Sequence, residues 1–129
     1  MDSTYEGRQT EIRELKLPSI EVFANIYADR RYQITLEIPE FTAICPKTGL
    51  PDFGELRLTY WPDELCLELK SFKEYLLAYR NLGIFHENVV NRVLDDVLGT
   101  VRPHRAVLTA TYNPRGGITT TVRRSFTRP

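Results

Sequence analysis

The period of the apolar residues changes near the middle of the chain, and this change restricts the fold more than any other feature. Before residue 71, apolar and polar residues alternate at 33–38 and 55–60, with a shorter alternation at 65–69, which indicates three strands. Beyond it the apolar spacing is helical, first over 71–80 and then from His86 or Glu87 to 98. Alternation returns at 105–112 and 118–126, which predicts two strands joined by a hairpin turn at 113–117.

The ends of the two predicted helices carry recognisable signals. Ser71 and Glu74 match a capping box, in which a hydroxyl and a carboxylate bind free amides of the first turn. Asn81 and Gly83 are expected to end this helix, and Gly99 is expected to end the second.

The element order, strands then two helices then strands, predicts an α+β fold. We expect an antiparallel four-stranded sheet with both helices on one face. The other face is rich in threonine, at Thr35, Thr59, Thr109, Thr111, Thr119 and Thr121. Such a face is solvated in most antiparallel sheets, but it can line a wet lumen if the sheets of several subunits join edge to edge.

The length of 129 residues fits one domain, which we place at 21–129 behind a loose polar arm at 1–20. Lysine and arginine (17) balance aspartate and glutamate (17), which argues against a broad nucleic-acid-binding surface and leaves self-association open. No signal peptide or membrane span is expected, so the prediction is a cytoplasmic protein with free thiols. The two cysteines and two histidines lack zinc spacing, and no metal site is expected.

The segment 40–53 is expected to be a conformationally restricted loop that carries two potentially catalytic side chains. It contains two prolines and a glycine, and it holds Cys45 seven residues before Asp52. A thiolate attacks electrophilic carbon, including nitriles and carbonyls, and a nearby acid can move the proton that the addition requires. The alternative is that Cys45 is a small buried apolar residue and Asp52 a turn residue. Cys66 lies mid-strand among leucines and is expected to serve packing only.

Two further segments carry polar groups at predicted helix starts. Lys70 and Lys73 form a local cationic site where helix amides suit a phosphate, although lysines at a solvated helix start are commoner. His86 and Glu87 enter the second helix together behind Phe85. Glu87 could accept two hydrogen bonds from an amidine-like edge such as that of guanine, or be a first-turn acid favoured by the helix dipole.

These segments, 39–53, 68–75 and 80–87, occur together and in this order in one family. From about Glu21 to its end the sequence closely resembles the 7-cyano-7-deazaguanine (preQ0) reductases (QueF), in their short single-module form. The resemblance implies the tunnelling fold (T-fold), in which sheets of several subunits join into a barrel, so the threonine face becomes lumen lining. It further implies a homo-oligomer, most simply a decamer of two pentamers, with active sites between subunits.

The implied reaction is the NADPH-dependent reduction of the nitrile 7-cyano-7-deazaguanine to 7-aminomethyl-7-deazaguanine, a precursor of the tRNA nucleoside queuosine. The resemblance gives Cys45 the role of nucleophile that forms a covalent thioimide, and Asp52 that of proton donor, with help from His86. Glu87 would bind the base, with Glu68 and Phe85 in the same site. The cofactor site implied by the resemblance comprises Lys70, Ser71, Lys73 and Tyr75.

Two positions depart from the family pattern. Leu50 replaces a polar residue, often glutamine, and Leu69 replaces a frequent serine. Both residues flank the expected site, so the resemblance does not assign substrate contacts at these two positions. Two rival functions are kept: a QueF-like amidinotransferase acting on the same nitrile in tRNA, and a purine- or pterin-binding T-fold protein without turnover.

Overall fold

A computed structural model describes residues 16–129. The elements in chain order are β1 (Val22–Ala24), β2 (Ile34–Ile44), β3 (Pro51–Trp61), β4 (Leu65–Leu67), α1 (Leu69–Leu77), a 3-10 helix (Ala78–Asn81), α2 (His86–Val101), β5 (Arg105–Tyr112) and β6 (Thr121–Thr127).

The main sheet is four-stranded and antiparallel throughout, with the order β2-β3-β5-β6. The α+β prediction of four strands with two helices is therefore confirmed. A second sheet pairs β1 with β4, and the sequence reading missed β1 because three residues are too few for a period. The outer edges of β2 and β6 have no strand partner among the described residues.

The core lies between one face of the main sheet and the two helices. On β3 the alternation is clear, since Leu56, Leu58 and Tyr60 are buried. The opposite face is polar, and there the hydroxyls of Thr35 and Thr59 lie 3.1 Å apart across β2 and β3. The burial of alternate positions thus follows the predicted period of two.

The first two strands of the main sheet are longer than their alternation predicted. They extend into the proline-containing segment, so the connecting loop shrinks to 45–50. Two backbone hydrogen bonds close this loop, from the Cys45 amide to the Leu50 carbonyl (2.8 Å) and from the Gly49 amide to the Cys45 carbonyl (2.8 Å). Gly49 has a φ of 73°, a conformation that glycine adopts without a Cβ penalty.

The start of α1 differs from the predicted capping box. Glu68 is the N-cap, and its carboxylate accepts hydrogen bonds from the amides of Lys70 (3.0 Å) and Ser71 (2.7 Å). The Ser71 hydroxyl instead donates to the Glu68 carbonyl and accepts from the Glu21 amide. The helix therefore begins at Leu69, which the alternation had assigned to a strand.

The predicted ends of the second helix and the last strand are also corrected. Helix α2 passes through Gly99 and ends at Val101, and Arg102 adopts the left-handed conformation (φ 51°) that closes it. Gly99 is thus an interior helical residue, and the prediction that it stops the helix is wrong. Strand β6 begins at Thr121 rather than at 118, because the preceding residues belong to the hairpin.

Most of the predicted N-terminal arm lies outside the described residues. Of its described part, Leu17 and Ile20 pack against the core. The boundary at residue 20 stays a prediction. Within residues 16–129, none of the helices has the length and apolarity to cross a bilayer.

Candidate active site

The Cys45 thiol lies directly after β2, in the closed loop. Its pKa is below the ordinary value for cysteine: partial burial raises it, but hydrogen bonds from the Thr48 hydroxyl and the Thr48 and Lys47 amides lower it by more. The carboxylate of Asp52 is near enough to act on the thiol, and it opposes ionisation. Cys45 is thus a partly exposed thiol that its loop favours as thiolate, which is the form that attacks carbon.

Asp52 is the second residue of β3 and pairs in register with Ala43. It is the one charged residue that is buried within residues 16–129, with 5% of its surface exposed. One carboxylate oxygen (Oδ1) accepts a hydrogen bond from Nη1 of Arg115, and the other (Oδ2) lies 3.1 Å from Nε2 of His86. Buried charged groups in proteins are paired and hydrogen-bonded, because burial of an unpaired charge costs free energy. The contacts with Arg115 and His86 provide this pairing for Asp52.

His86 opens α2 and is held in place by the sheet. Its imidazole stacks on the ring of Tyr112 in β5, with centroids 3.7 Å apart and planes 3° apart. The segment before it joins the end of β2 through two hydrogen bonds, from the Ile44 amide to the Leu82 carbonyl (3.0 Å) and from the Ile84 amide to the Ile44 carbonyl (2.9 Å). This junction brings the start of α2 beside the cysteine loop.

Gly54 allows the Tyr112 ring to lie where His86 stacks on it. The two residues face each other in the β3–β5 register. A Cβ at Gly54 would lie 2.6 Å from the Thr111 carbonyl oxygen and 3.0 Å from Cα and Cδ1 of Tyr112. The absence of a side chain at this position is therefore part of how the sheet positions the imidazole.

Phe85 and Glu87, the sequence neighbours of His86, are both exposed. Phe85 is the N-cap residue of α2 and is 45% exposed, and Glu87 is exposed in the first helical turn. Glu87 forms no ion pair within the described part of the chain, so its carboxylate is free to accept hydrogen bonds from a ligand. A cavity of about 410 Å³ lies here, lined by Pro46, Gly83, Ile84, Phe85, Asn88 and Arg92.

Of the four residues that the resemblance assigns to the cofactor site, two are exposed and two are buried. Lys70 and Lys73 are exposed on α1. Ser71 and Tyr75 are buried, and the Tyr75 hydroxyl is bound to the hydroxyl of Tyr79 (2.8 Å) and to the carboxylate of Asp96. Burial, followed by Tyr79 and Asp96, raises the pKa of Tyr75 far above its usual range, so this hydroxyl stays protonated.

The expectation of free amides at the start of α1 is not met. The carboxylate of Glu68 already accepts hydrogen bonds from the amides of Lys70 and Ser71. These bonds lower the pKa of Glu68, and the bond from the Ser71 amide has the largest effect. A phosphate here would meet lysine side chains and not an open helix end.

The structure brings one group of predicted residues together and keeps the other apart. Cys45, Asp52 and His86 form one cluster, with Phe85 and Glu87 beside it. Glu68 lies at the far end of α1: the helical residues 69–81 separate it from Leu82, which contacts Ile44 beside the thiol. At 1.5–2.0 Å per residue this run is roughly 20 Å long.

Sequence reasoning missed Tyr112 and Arg115. Both were assigned only to a strand and a turn, and both reach the site through long-range register that a period cannot show. A cation directly before two glycines in a tight turn was the available signal for Arg115.

Fold and cluster together define a class, an α+β protein with a thiol site suited to nucleophilic attack. The family model described as QueF-like protein matches residues 51–129. The NADPH-dependent 7-cyano-7-deazaguanine reductase of Elusimicrobium minutum is 56% identical over 103 residues, covering 80% of this chain and 77% of that protein. That of Chlorobaculum tepidum is 53% identical over 109 residues, covering 84% and 93%.

A crystal structure of the archaeosine synthase QueF-Like in the apo form has the same fold, with a TM-score of 0.68 and 24% identity over 72% of this chain and 91% of that one. The chain belongs to the QueF family, and the resemblance stated from the sequence is confirmed.

Proposed function

We propose that this protein is an NADPH-dependent oxidoreductase that reduces the nitrile of 7-cyano-7-deazaguanine to the primary amine, in the biosynthesis of queuosine for tRNA modification. The observation that carries the proposal is the Cys45 thiol with a lowered pKa beside the buried Asp52–His86 pair. It is supported by relatives at more than half identity that are named for this reaction.

The first step is addition of the Cys45 thiol to the nitrile carbon. The S–H proton passes to Asp52, the sulfur forms a bond to carbon, and one π bond of the nitrile opens onto nitrogen. Asp52 then gives the proton to that nitrogen, which yields a neutral thioimide with every atom accounted for. The carboxylate has lone pairs left after its bonds to Arg115 and His86, so it can accept the proton.

His86 supports this transfer by position. Its Nε2 lies 3.1 Å from the Asp52 carboxylate, and its stack on Tyr112 prevents the ring from turning away. A proton relay between two fixed groups needs no reorganisation at the moment of reaction.

The base would be held by the groups on the open side of the cluster. Glu87 is exposed without an ion-pair partner in the described residues, and it suits the two N–H donors of an amino-pyrimidinone edge. The exposed ring of Phe85 offers a surface on which a flat bicyclic base can lie.

The residues of α1 fit the phosphates of NADPH. Lys70 and Lys73 are exposed and without an ion-pair partner among residues 16–129, while buried Ser71 and Tyr75 hold the helix face beneath them. NADPH supplies hydride, and the four-electron reduction of a nitrile consumes two molecules of it.

We further propose that the site is completed between subunits. In one chain the helical run 69–81, roughly 20 Å long, separates Glu68 from Leu82 beside the thiol. We therefore infer that Glu68 reaches a base bound to Cys45 from a neighbouring copy. The unpaired edges of β2 and β6 and the groove of about 580 Å³ between β2 and α1 support edge-to-edge joining of sheets into a T-fold barrel. A decamer of two pentamers, cytoplasmic, is the proposed form.

The test combines intact-protein mass spectrometry with NADPH absorbance during incubation with 7-cyano-7-deazaguanine. We expect a covalent adduct without NADPH, and loss of both the adduct and NADPH when NADPH is added. Cys45→Ala abolishes the adduct, and Cys66→Ala, the matched control at a buried thiol, retains it.

Three outcomes would overturn the proposal. An adduct with constant NADPH absorbance would favour the amidinotransferase, and binding without an adduct would favour a non-catalytic binding protein. An adduct that survives Cys45→Ala would move the nucleophile elsewhere.

A further inference from the structure

Among residues 16–129, Arg115 is the one arginine or lysine bound to the buried carboxylate of the site. It lies in the β5–β6 hairpin, far in sequence from the cysteine loop, and its Nη1 donates to Oδ1 of Asp52. In the described part of the chain, four groups face this carboxylate: the thiol of Cys45, the imidazole of His86, the hydroxyl of Tyr112 and the guanidinium of Arg115. Of these, only Arg115 carries a charge at every relevant pH.

The hairpin holds Arg115 in a defined place. Arg115 and Ile118 exchange two backbone hydrogen bonds (2.9 and 3.0 Å) around Gly116 and Gly117, which have φ of 57° and 81°. Two successive positive φ values are those of a tight two-residue hairpin turn that glycine favours. The base of the hairpin is tied to β3 by the bond from the Asn113 amide to the carbonyl of Phe53, the residue after Asp52 (2.8 Å).

We propose that Arg115 is a positioning residue: its guanidinium holds the side chain of Asp52 in place beside Cys45 and offsets the repulsion between the Asp52 charge and the thiolate. The role rests on the proposed function, because it matters only if Asp52 must receive the thiol proton. The Arg115 side chain is 42% exposed and the Asp52 side chain is 6% exposed. Arg115 therefore contacts the buried carboxylate from the solvent side of the site.

The effect on the thiol runs through Asp52. The negative charge of Asp52 disfavours the Cys45 thiolate. The guanidinium bound to Oδ1 of Asp52 places a positive charge beside that carboxylate, which partly cancels its field at the sulfur. Removal of the guanidinium leaves the charge of Asp52 uncompensated, so the thiol should ionise at higher pH. Removal of Asp52 as well should erase this difference, because the bond that holds the exposed Arg115 side chain at the site is then lost.

The experiment measures iodoacetamide alkylation of Cys45 against pH by peptide mass spectrometry, without any nitrile. In Arg115→Gln we expect the midpoint of reactivity to rise by about one pH unit, the low end of the shift that a charge within a few ångströms produces. Arg115→Lys should recover most of the shift because it keeps the charge. In Asp52→Asn the midpoint should fall, and adding Arg115→Gln should leave it unchanged.

A structural role alone would lower stability without moving the midpoint. An unchanged midpoint in Arg115→Gln, or an equal shift in the Asp52→Asn background, would overturn the proposal. A raised KM for NADPH with an unchanged midpoint would instead make Arg115 a cofactor ligand. Because alkylation needs no nitrile, failure of the reductase assay in the wild-type protein would leave this result readable on its own.

Discussion

Replacement of Gly54 by alanine should both destabilise the protein and damage the site. The new Cβ would lie 2.6 Å from the backbone oxygen of Thr111 and 3.0 Å from atoms of Tyr112. Neither backbone atom can move without disturbing the β3–β5 pairing. Overpacking of this kind costs about 1–3 kcal/mol, and the gain of up to ~1 kcal/mol from replacing a strand glycine offsets it only in part.

Gly99→Ala is the matched control, since it makes the same chemical change with nothing within 4 Å of the new Cβ. At this interior position of α2 alanine should stabilise the protein by about 0.5–1 kcal/mol.

The assay is urea unfolding of both variants, followed by the rate of adduct formation with the nitrile. We expect Gly54→Ala to lower the free energy of unfolding and to slow the adduct, because the displaced Tyr112 ring no longer holds His86. A Gly54→Ala protein as stable and as reactive as the wild type would show that the close approach at Gly54 does not position the Tyr112 ring.

The remaining predictions concern α1. Glu68→Gln should weaken the start of the helix. Because the pKa of Glu68 is lowered in the folded state, its contribution is present above the unfolded pKa and is lost as pH falls, so wild type and variant should converge in Tm in acid. Tyr75→Phe removes a buried hydroxyl bound to Asp96 and should cost about 1–3 kcal/mol in urea unfolding, and an unchanged midpoint would contradict this network. Lys70→Ala with Lys73→Ala should raise the KM for NADPH about tenfold while the adduct forms at the wild-type rate, and equal losses in both would argue against a cofactor role.

The elements with long, regular periods were predicted well from the sequence. Strand β5 was predicted at 105–112 and lies at Arg105–Tyr112, and α2 begins at His86 as expected. The apolar residues of β5 and α2 face one common core, so the positions that are buried follow the spacing seen in the sequence. The pairing of Cys45 with Asp52 was predicted from the loop that holds both, whereas His86 was added to them by the family resemblance. In the structure the β2–β3 hairpin and the start of α2 bring the three residues together.

Features that depend on the environment of a residue could not be predicted in the same way. Ser71 satisfied the capping pattern, but the carboxylate of Glu68 occupies the free amides instead. Gly99 carried a stop signal, yet the apolar face of α2 continues to Val101 and keeps the helix intact. The contact of Arg115 with Asp52 spans 63 positions and depends on the register of three strands.

The central claim, reduction of a nitrile through Cys45, is tested most directly by the ratio of NADPH oxidised to amine formed. Absorbance of NADPH and chromatography of 7-aminomethyl-7-deazaguanine in the same reaction give both quantities. We expect two NADPH per amine in the wild-type protein and no turnover in Cys45→Ala. Constant NADPH with the nitrile present, or undiminished turnover in Cys45→Ala, would contradict it.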